Sequence, residues 1–277
     1  MHMAEAGSKR RKQQLMLAAG LSILLLIGWL VAGRQETVRG IKTVQVRILP
    51  DTGLYFVTRE EVLEMVGGGP EGVAGRRVAS VRPEMLETQL KALPFVKTCD
   101  VYADLSGNLK ITLEQKRPLM RIISRSGESY YLAEGGEKLP FSKQFTAHVP
   151  VGNGNIAEKL ADSTHAKTPV LQSLVELATF MDRQAFWSAQ IEQVYVDNYS
   201  ELLLIPRVGN HSIVLGNTDR LPEKMEKLGL FYTKALSKLG WDLYERIDLR
   251  YERQVIGVKK STFNNEAETG AETATAQ

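Results

Sequence analysis

The chain has 277 residues, and with an apolar leader and polar tails set aside the remainder fits one large or two small domains, which we read as two. Its formal charge of +3 lies partly in an N-terminal basic cluster, so the rest is close to neutral and gives no case for a nucleic-acid partner. A single cysteine, Cys99, excludes both an intrachain disulfide and a thiolate metal cluster.

Residues 15–32 read LMLAAGLSILLLIGWLVA, uncharged and near the lower limit for a helix spanning a bilayer. Lys9, Arg10, Arg11 and Lys12 stand just before them, and the positive-inside rule holds such a cluster in the cytoplasm. A cleaved signal peptide has a shorter apolar region and a small-x-small site, for which residues 28–32 are poor. A buried core helix would not be apolar on every face at the head of the chain. The sequence therefore predicts a cytoplasmic tail over residues 1–14, an uncleaved signal anchor over 15–32 with Trp29 near the outer interface, and a translocated body.

The body opens with a strand over residues 43–48, where Val44, Val46 and Ile48 share one side. Thr58 and Glu61 have the spacing of a capping box ahead of Val62, Leu63, Met65 and Val66, and residues 67–70 (GGGP) stop that helix. Residues 71–77 read as loop. A second helix opens at residues 80–83 and carries Met85, Leu86, Leu90 and Leu93 at helical spacing up to Pro94. Cys99, Val101 and Ala103, then Leu109, Ile111 and Leu113, alternate with polar residues on either side of a turn at residues 106–108, which gives a hairpin with one apolar face. Cys99 is accordingly a core residue.

Past Pro118 short strands take over, at residues 119–123 and 129–132, with a turn at 134–137 and a segment at 149–151 ending in a turn at 152–155 (GNGN). Thr168 and Pro169 start a helix whose stripe is Leu171, Leu174, Val175, Leu177, Ala178 and Met181 and which runs to about Trp187. Strands at 191–196, 202–206 and 212–215 should pair as a meander. Leu221 and Pro222 begin a last helix with Met225, Leu228, Leu230, Phe231, Ala235 and Leu239 on its apolar side and Gly240 as C-terminal cap. A final strand covers residues 246–251, and Val255, Ile256 and Val258 keep its phase only across a bulge or tight turn at 252–254. Residues 264–277 have almost nothing to bury and are expected to be disordered.

Chemistry is sparse. The four histidines, His2, His148, His165 and His211, have no metal-ligand spacing, no G-x-S-x-G elbow is present, and Ser212 next to His211 lies in a strand where neighbours face opposite sides. Residues 67–69 and 152–154 lack the spacing of a phosphate loop. Tyr130 and Tyr131 should face opposite sides of a strand, with at least one in the core, while Trp187 and Trp241 cover helix ends. No cofactor, no metal, no small-molecule substrate and no catalytic residue is expected.

The order strand, helix, helix, strand, strand resembles the POTRA (polypeptide-transport-associated) module, with residues 93–101 (LPFVKTCDV) similar to its corner before the hairpin and residues 114–118 (EQKRP) similar to its closing segment. Any small α+β domain of this order is the other reading. The basic tail, the anchor, this module, residues 130–132 (YYL) followed by Gly135 and Gly136, and residues 245–251 (ERIDLRY) together resemble the bacterial cell-division family FtsQ/DivIB. The resemblance implies an α+β chain: one N-terminal transmembrane helix, a POTRA-like β-α-α-β-β domain over 40–117, a second mixed α+β domain with an antiparallel sheet over 118–262, and a tail over 263–277. It further implies a non-enzymatic scaffold of the divisome, anchored in the cytoplasmic (inner) membrane with its body in the periplasm. FtsB- and FtsL-like proteins would be its partners, met at Tyr251, Glu252, Arg253, Val255, Ile256 and Val258. Arg250, Arg253, Lys259 and Lys260 would then guard that edge or meet acidic partner residues. A POTRA-bearing chaperone or translocation component, and a membrane-anchored hydrolase, are the competing readings.

Overall fold

The computed structural model describes residues 40–49, 53–67, 81–104 and 106–260, together with Ser22, Ile23, Leu25 and Leu26. Those four are helical, but the anchor expected over 15–32 and the tail over 264–277 otherwise lie outside the described residues. Among the described residues no helix is long and apolar enough to cross a membrane. The chain divides into two compact units, one holding Val57–Gln115 with the residues up to Gly53, the other holding Leu54–Phe56 and Lys116–Gln277.

The first unit is a three-stranded sheet with two helices. Strands β1 (Thr43–Leu49), β2 (Val96–Ala103) and β3 (Asn108–Gln115) lie in the order β1-β3-β2, β1 parallel and β2 antiparallel to β3. The alternation read from the sequence decides the faces: Cys99, Val101, Leu109, Ile111 and Leu113 are buried with Val62 of α1 (Arg59–Met65) and Leu90 of α2 (Pro83–Lys91). Burial raises the Cys99 thiol to about 11, which suits a packing residue rather than a nucleophile. The cap of α1 is half of the expected box. Thr58 Oγ1 accepts the Glu61 N–H at 3.2 Å, while Glu61 Oε2 is buried without a hydrogen-bond partner.

The second unit is a nine-stranded sheet. After β4 (Pro118–Ile123), β5 (Ser129–Ala133), β6 (Lys138–Pro140) and β7 (Val151–Gly154) come α3 (Pro169–Asp182) and α4 (Ala185–Gln190), then β8 (Ile191–Val196), β9 (Leu202–Pro206) and β10 (Ser212–Gly216). Helix α5 (Leu221–Phe231) continues through a π-helical turn, Tyr232–Leu236, before β11 (Tyr244–Asp248) and β12 (Ile256–Lys259). The strand order is β12-β11-β10-β9-β8-β7-β4-β5-β6.

The expected antiparallel sheet is in fact mixed, because β10–β11, β7–β8 and β4–β7 are parallel pairs. Parallel neighbours require a long crossover. Helices α3 and α4 provide it between β7 and β8, and α5 provides it between β10 and β11. The three-strand meander of β8, β9 and β10 is antiparallel as read. One core joins the sheet to these helices, with Met120, Ile122, Val194, Leu204, Ile213 and Ile247 meeting Leu171, Leu174, Leu177, Met225 and Leu228.

Three local readings change, and a fourth, that at least one of Tyr130 and Tyr131 lies in the core, holds for both. The helix from Thr168 does not run unbroken to Trp187: Gln184 leaves helical geometry at φ −130° and ψ 102°, and α4 restarts so that Trp187 is buried while Phe186 faces out. Residues 152–154 are a central strand rather than a turn; a Cβ on Gly152 would crowd Ile122 and Met120, and glycine is required at Gly154, where φ is +97° and a Cβ would lie 2.2 Å from the Val196 carbonyl oxygen. Leu230 and Leu239, expected on the apolar side of the last helix, are exposed; Leu236 is buried through the π-helical turn. Tyr130 and Tyr131 are both fully buried, the first donating its hydroxyl to the Glu158 carbonyl at 2.9 Å, the second accepting the Ala147 N–H at 3.3 Å.

Sequence reading also missed a buried ion pair. Lys138 of β6 donates to Glu158 Oε1 at 3.1 Å and to the Lys159 carbonyl at 2.6 Å, with both side chains almost wholly out of solvent. Glu158 further accepts the amides of Lys167 and Thr168, the residues that lead into α3. Burial pushes the Glu158 carboxyl up, but the Thr168 and Lys167 amides and the Lys138 ammonium outweigh it and hold the group at about 2. Glu158→Gln leaves a buried ammonium unpaired and is expected to cost about 3–5 kcal/mol in urea unfolding at neutral pH. Because the folded value lies below the ordinary 4.5, the stabilisation is complete above that pH and disappears as pH falls toward about 2. The gap between parent and variant should therefore narrow in that acid window.

Candidate partner-binding edge

Strand β12 is the last strand at one end of the nine-stranded sheet, and among the described residues it pairs only with β11. Tyr244, Arg246, Ile247 and Asp248 face Lys259, Val258, Gly257 and Ile256 across that antiparallel pair. Alternation splits β12 and the residue before it into two faces. Val255 packs against the core cluster and Gly257 lies on the same side, whereas Ile256 and Val258 point outward at 37% and 36% exposure. Two β-branched apolar side chains on an edge strand form the exposed part of the site.

The inward face is fixed by one aromatic ring. A Cβ on Gly257 would fall 2.5 Å from Tyr244 Cε1, so the Tyr244 ring covers the backbone at Gly257, and the same ring meets Phe231 of α5 at 5.3 Å. Neither Gly257 nor Tyr244 was singled out from the sequence; an isolated glycine between Ile256 and Val258 was the available signal.

The other expected site residues lie on the connection from β11 to β12. The strand read as 246–251 stops at Asp248, since the Asp248 carboxylate accepts the Arg250 N–H at 3.0 Å and turns the chain. The Arg250 guanidinium grips Asp248 at 2.6 Å and reaches Glu201 at 2.9 Å, and its pKa is raised by the Asp248 hydrogen bond. Burial would lift the Asp248 carboxyl, but the Arg250 hydrogen bonds hold it below the ordinary range. Lys227 of α5 donates to the carbonyls of Tyr251 at 2.6 Å and Glu252 at 3.1 Å, and Arg220 pairs with Glu252 at 2.7 Å.

The six expected residues are thus close in the chain but of three kinds. Tyr251, Glu252 and Arg253 are exposed on a stapled loop, Ile256 and Val258 form the outer face, and Val255 belongs to the core. The bulge or tight turn read at 252–254 is this loop. Of the four cations read as guards, Arg250 is engaged by Asp248 and Glu201, and Lys260 lies 3.9 Å from Asp242. Arg253 and Lys259 carry no ion pair among the described residues. Elsewhere, buried His211 meets the Tyr232 hydroxyl at 3.0 Å, with burial lowering its pKa, and among the described residues no group of three or more His, Cys, Asp or Glu is placed to hold a metal ion.

Residues 41–114 match the POTRA-like domain, and residues 117–258 match the family described as FtsQ/DivIB, C-terminal related. A POTRA-like unit followed by a sheet-rich unit of this type defines a division-associated scaffold, a class that is membrane-anchored and non-enzymatic in general. The chain belongs to the FtsQ/DivIB family. No curated protein matches it.

Gly257→Val should displace the Tyr244 ring and loosen β12 at a cost of about 1–3 kcal/mol. Hydrogen exchange at residues 256–259 would show faster exchange there, with β8 and β9 unchanged.

Proposed function

We propose that the chain is a non-enzymatic bitopic scaffold of the bacterial divisome that links early cytoplasmic division proteins to septal wall-synthesis components. In this reading residues 1–14 lie in the cytoplasm, residues 15–32 span the inner membrane, and the POTRA-like and FtsQ-type domains, 40–117 and 118–262, stand in the periplasm. FtsB- and FtsL-like proteins are the partners. Tyr251, Glu252, Arg253, Ile256 and Val258 contact them, and Val255 supports the strand from behind.

One observation carries the reading: a short sheet edge presents Ile256 and Val258 to solvent while Tyr244, Phe231 and Val255 hold its other side rigid. An edge with unpaired backbone groups is a template for strand addition, and apolar outward side chains give an added strand something to pack on. Rigid support lowers the ordering cost of binding. Confinement to one membrane raises the partners' effective concentration, so modest contacts sum to a stable assembly.

Affinity capture of the intact protein from membranes, beside an Ile256→Lys, Val258→Lys variant, tests this. Both positions face outward, so the variant should keep its stability to within about 0.5 kcal/mol. Capture of FtsB- and FtsL-like proteins should fall by about tenfold or more. Undiminished capture by the folded variant would remove β12 as the docking edge, and capture of varied polypeptides in transit, without division proteins, would favour the chaperone reading.

A further inference from the structure

The two edges of the first unit's sheet are finished differently. On β2, Glu87 of α2 accepts the Val101 N–H at 3.0 Å, and that hydrogen bond lowers the Glu87 pKa. A side-chain carboxylate therefore occupies a backbone donor that an added strand would need. The opposite edge, β1, pairs only with β3 among the described residues.

Beside β1 the sheet has a hollow of about 460 Å³, lined by Gln45, Arg47, Arg59, Tyr102, Lys110 and Thr112 together with Val46 and Ile111. Register accounts for the five strand positions that face outward, and Arg59 comes from the start of α1. Gln45 stands opposite Lys110, Lys110 opposite Tyr102, and Arg47 opposite Thr112, so alternate positions of three strands point the same way. Three cations of this unit are paired, Lys110 with Asp104 at 3.5 Å, Lys97 with Glu114 at 2.9 Å and Lys91 with Glu87 at 3.2 Å. Arg47 and Arg59 have no carboxylate within ion-pair reach among the described residues. Asp100 shares the cross-strand row of Arg47 but sits two strands away, at a separation on the order of 10 Å.

We propose that β1 and this hollow dock an acidic segment of a partner protein in extended form, its main chain pairing with β1 and its alternate carboxylates meeting Arg47 and Arg59. The period of a strand places every second side chain of an added segment on the outer face, toward the hollow that Arg47 and Arg59 line. A guanidinium fork matches a carboxylate in two parallel hydrogen bonds. Half-exposed Tyr102 supplies an aromatic wall to the same hollow. A lipid headgroup would satisfy the cations but makes no use of a strand edge that, among the described residues, has no second partner strand, which favours a peptide.

The test is fluorescence anisotropy on the full chain in neutral-lipid nanodiscs, with a labelled peptide of alternating Glu and Val and its counterpart of alternating Gln and Val. The acidic peptide should bind, more weakly as salt is raised, and the Gln peptide should bind about tenfold less well or worse. Arg47→Gln with Arg59→Gln should lose about the same factor, and Arg47→Lys with Arg59→Lys, which keeps the charge and loses the fork, should bind at a level between the parent and the Gln variant. The single Gln variants are measured alongside, so that a folding defect in the double variant does not decide the result. No binding of the acidic peptide, equal binding of both peptides, or binding that ignores the Gln variants would overturn the proposal. So would Arg47- and Arg59-dependent binding of phosphatidylglycerol vesicles without peptide binding, which would make the hollow a headgroup site.

Discussion

An open sheet ends in two rows of unpaired backbone groups, and the finish of each row decides what a sheet domain can do. In the second unit, the β6 end is only three residues long, and its Pro140 has no N–H to offer. Lys138 of the same strand is drawn inward by Glu158, and the neighbouring Glu137 bridges to His165. That end is closed by a proline, by backbone pairing with residues 164–166, where the Lys138 N–H donates to the Thr164 carbonyl at 2.8 Å, and by a buried charge. At the β12 end the inner face is filled by Tyr244 and Val255, and the outer face keeps two apolar side chains in water. The asymmetry is built from particular side chains, not from a general difference between strands.

Parallel pairing explains why the core lies where it does. Each parallel neighbour obliges the chain to cross over, and for β7–β8 and β10–β11 the crossovers are the helices that bury the inner face, while β4 reaches β7 through β5 and β6. Leu171, Leu174, Leu177, Met225 and Leu228 then meet the inward residues of six strands in one continuous cluster. The Glu158 carboxylate binds this arrangement to the β6 end by accepting both the Lys138 ammonium and the amides that lead into α3. One buried charge thus connects an edge strand to the helix across the core.

The helices, the hairpin of the first unit and the meander of the second were legible because period and caps agree in each: Thr168 and Pro169 before Leu171, or Cys99 and Val101 opposite Leu113 and Ile111. Strand direction was not legible, since alternation is the same in parallel and antiparallel sheets. Residues 152–154 read as a turn because two glycines there signal one, whereas the cause is crowding by Ile122, Met120 and Val196. Lys138 and Glu158 are twenty residues apart with no pattern joining them, and only the fold brings them together. The terminal strand was legible in the chain, yet the division of Val255 from Ile256 and Val258 depends on where β11 turns, which Asp248 and Arg250 set.

From β8 to β12 the order in the chain and the order in the sheet are the same, each strand laid outward against the one before. The outermost strand has its template only after β9, β10, the α5 crossover and β11 are seated. Tyr244 and Phe231, the rings behind β12, come from the two elements immediately preceding it. In the docking role proposed for it, β12 is therefore a report on completed folding: a chain stalled at any earlier strand presents a different edge, so assembly could select finished molecules without any separate checkpoint.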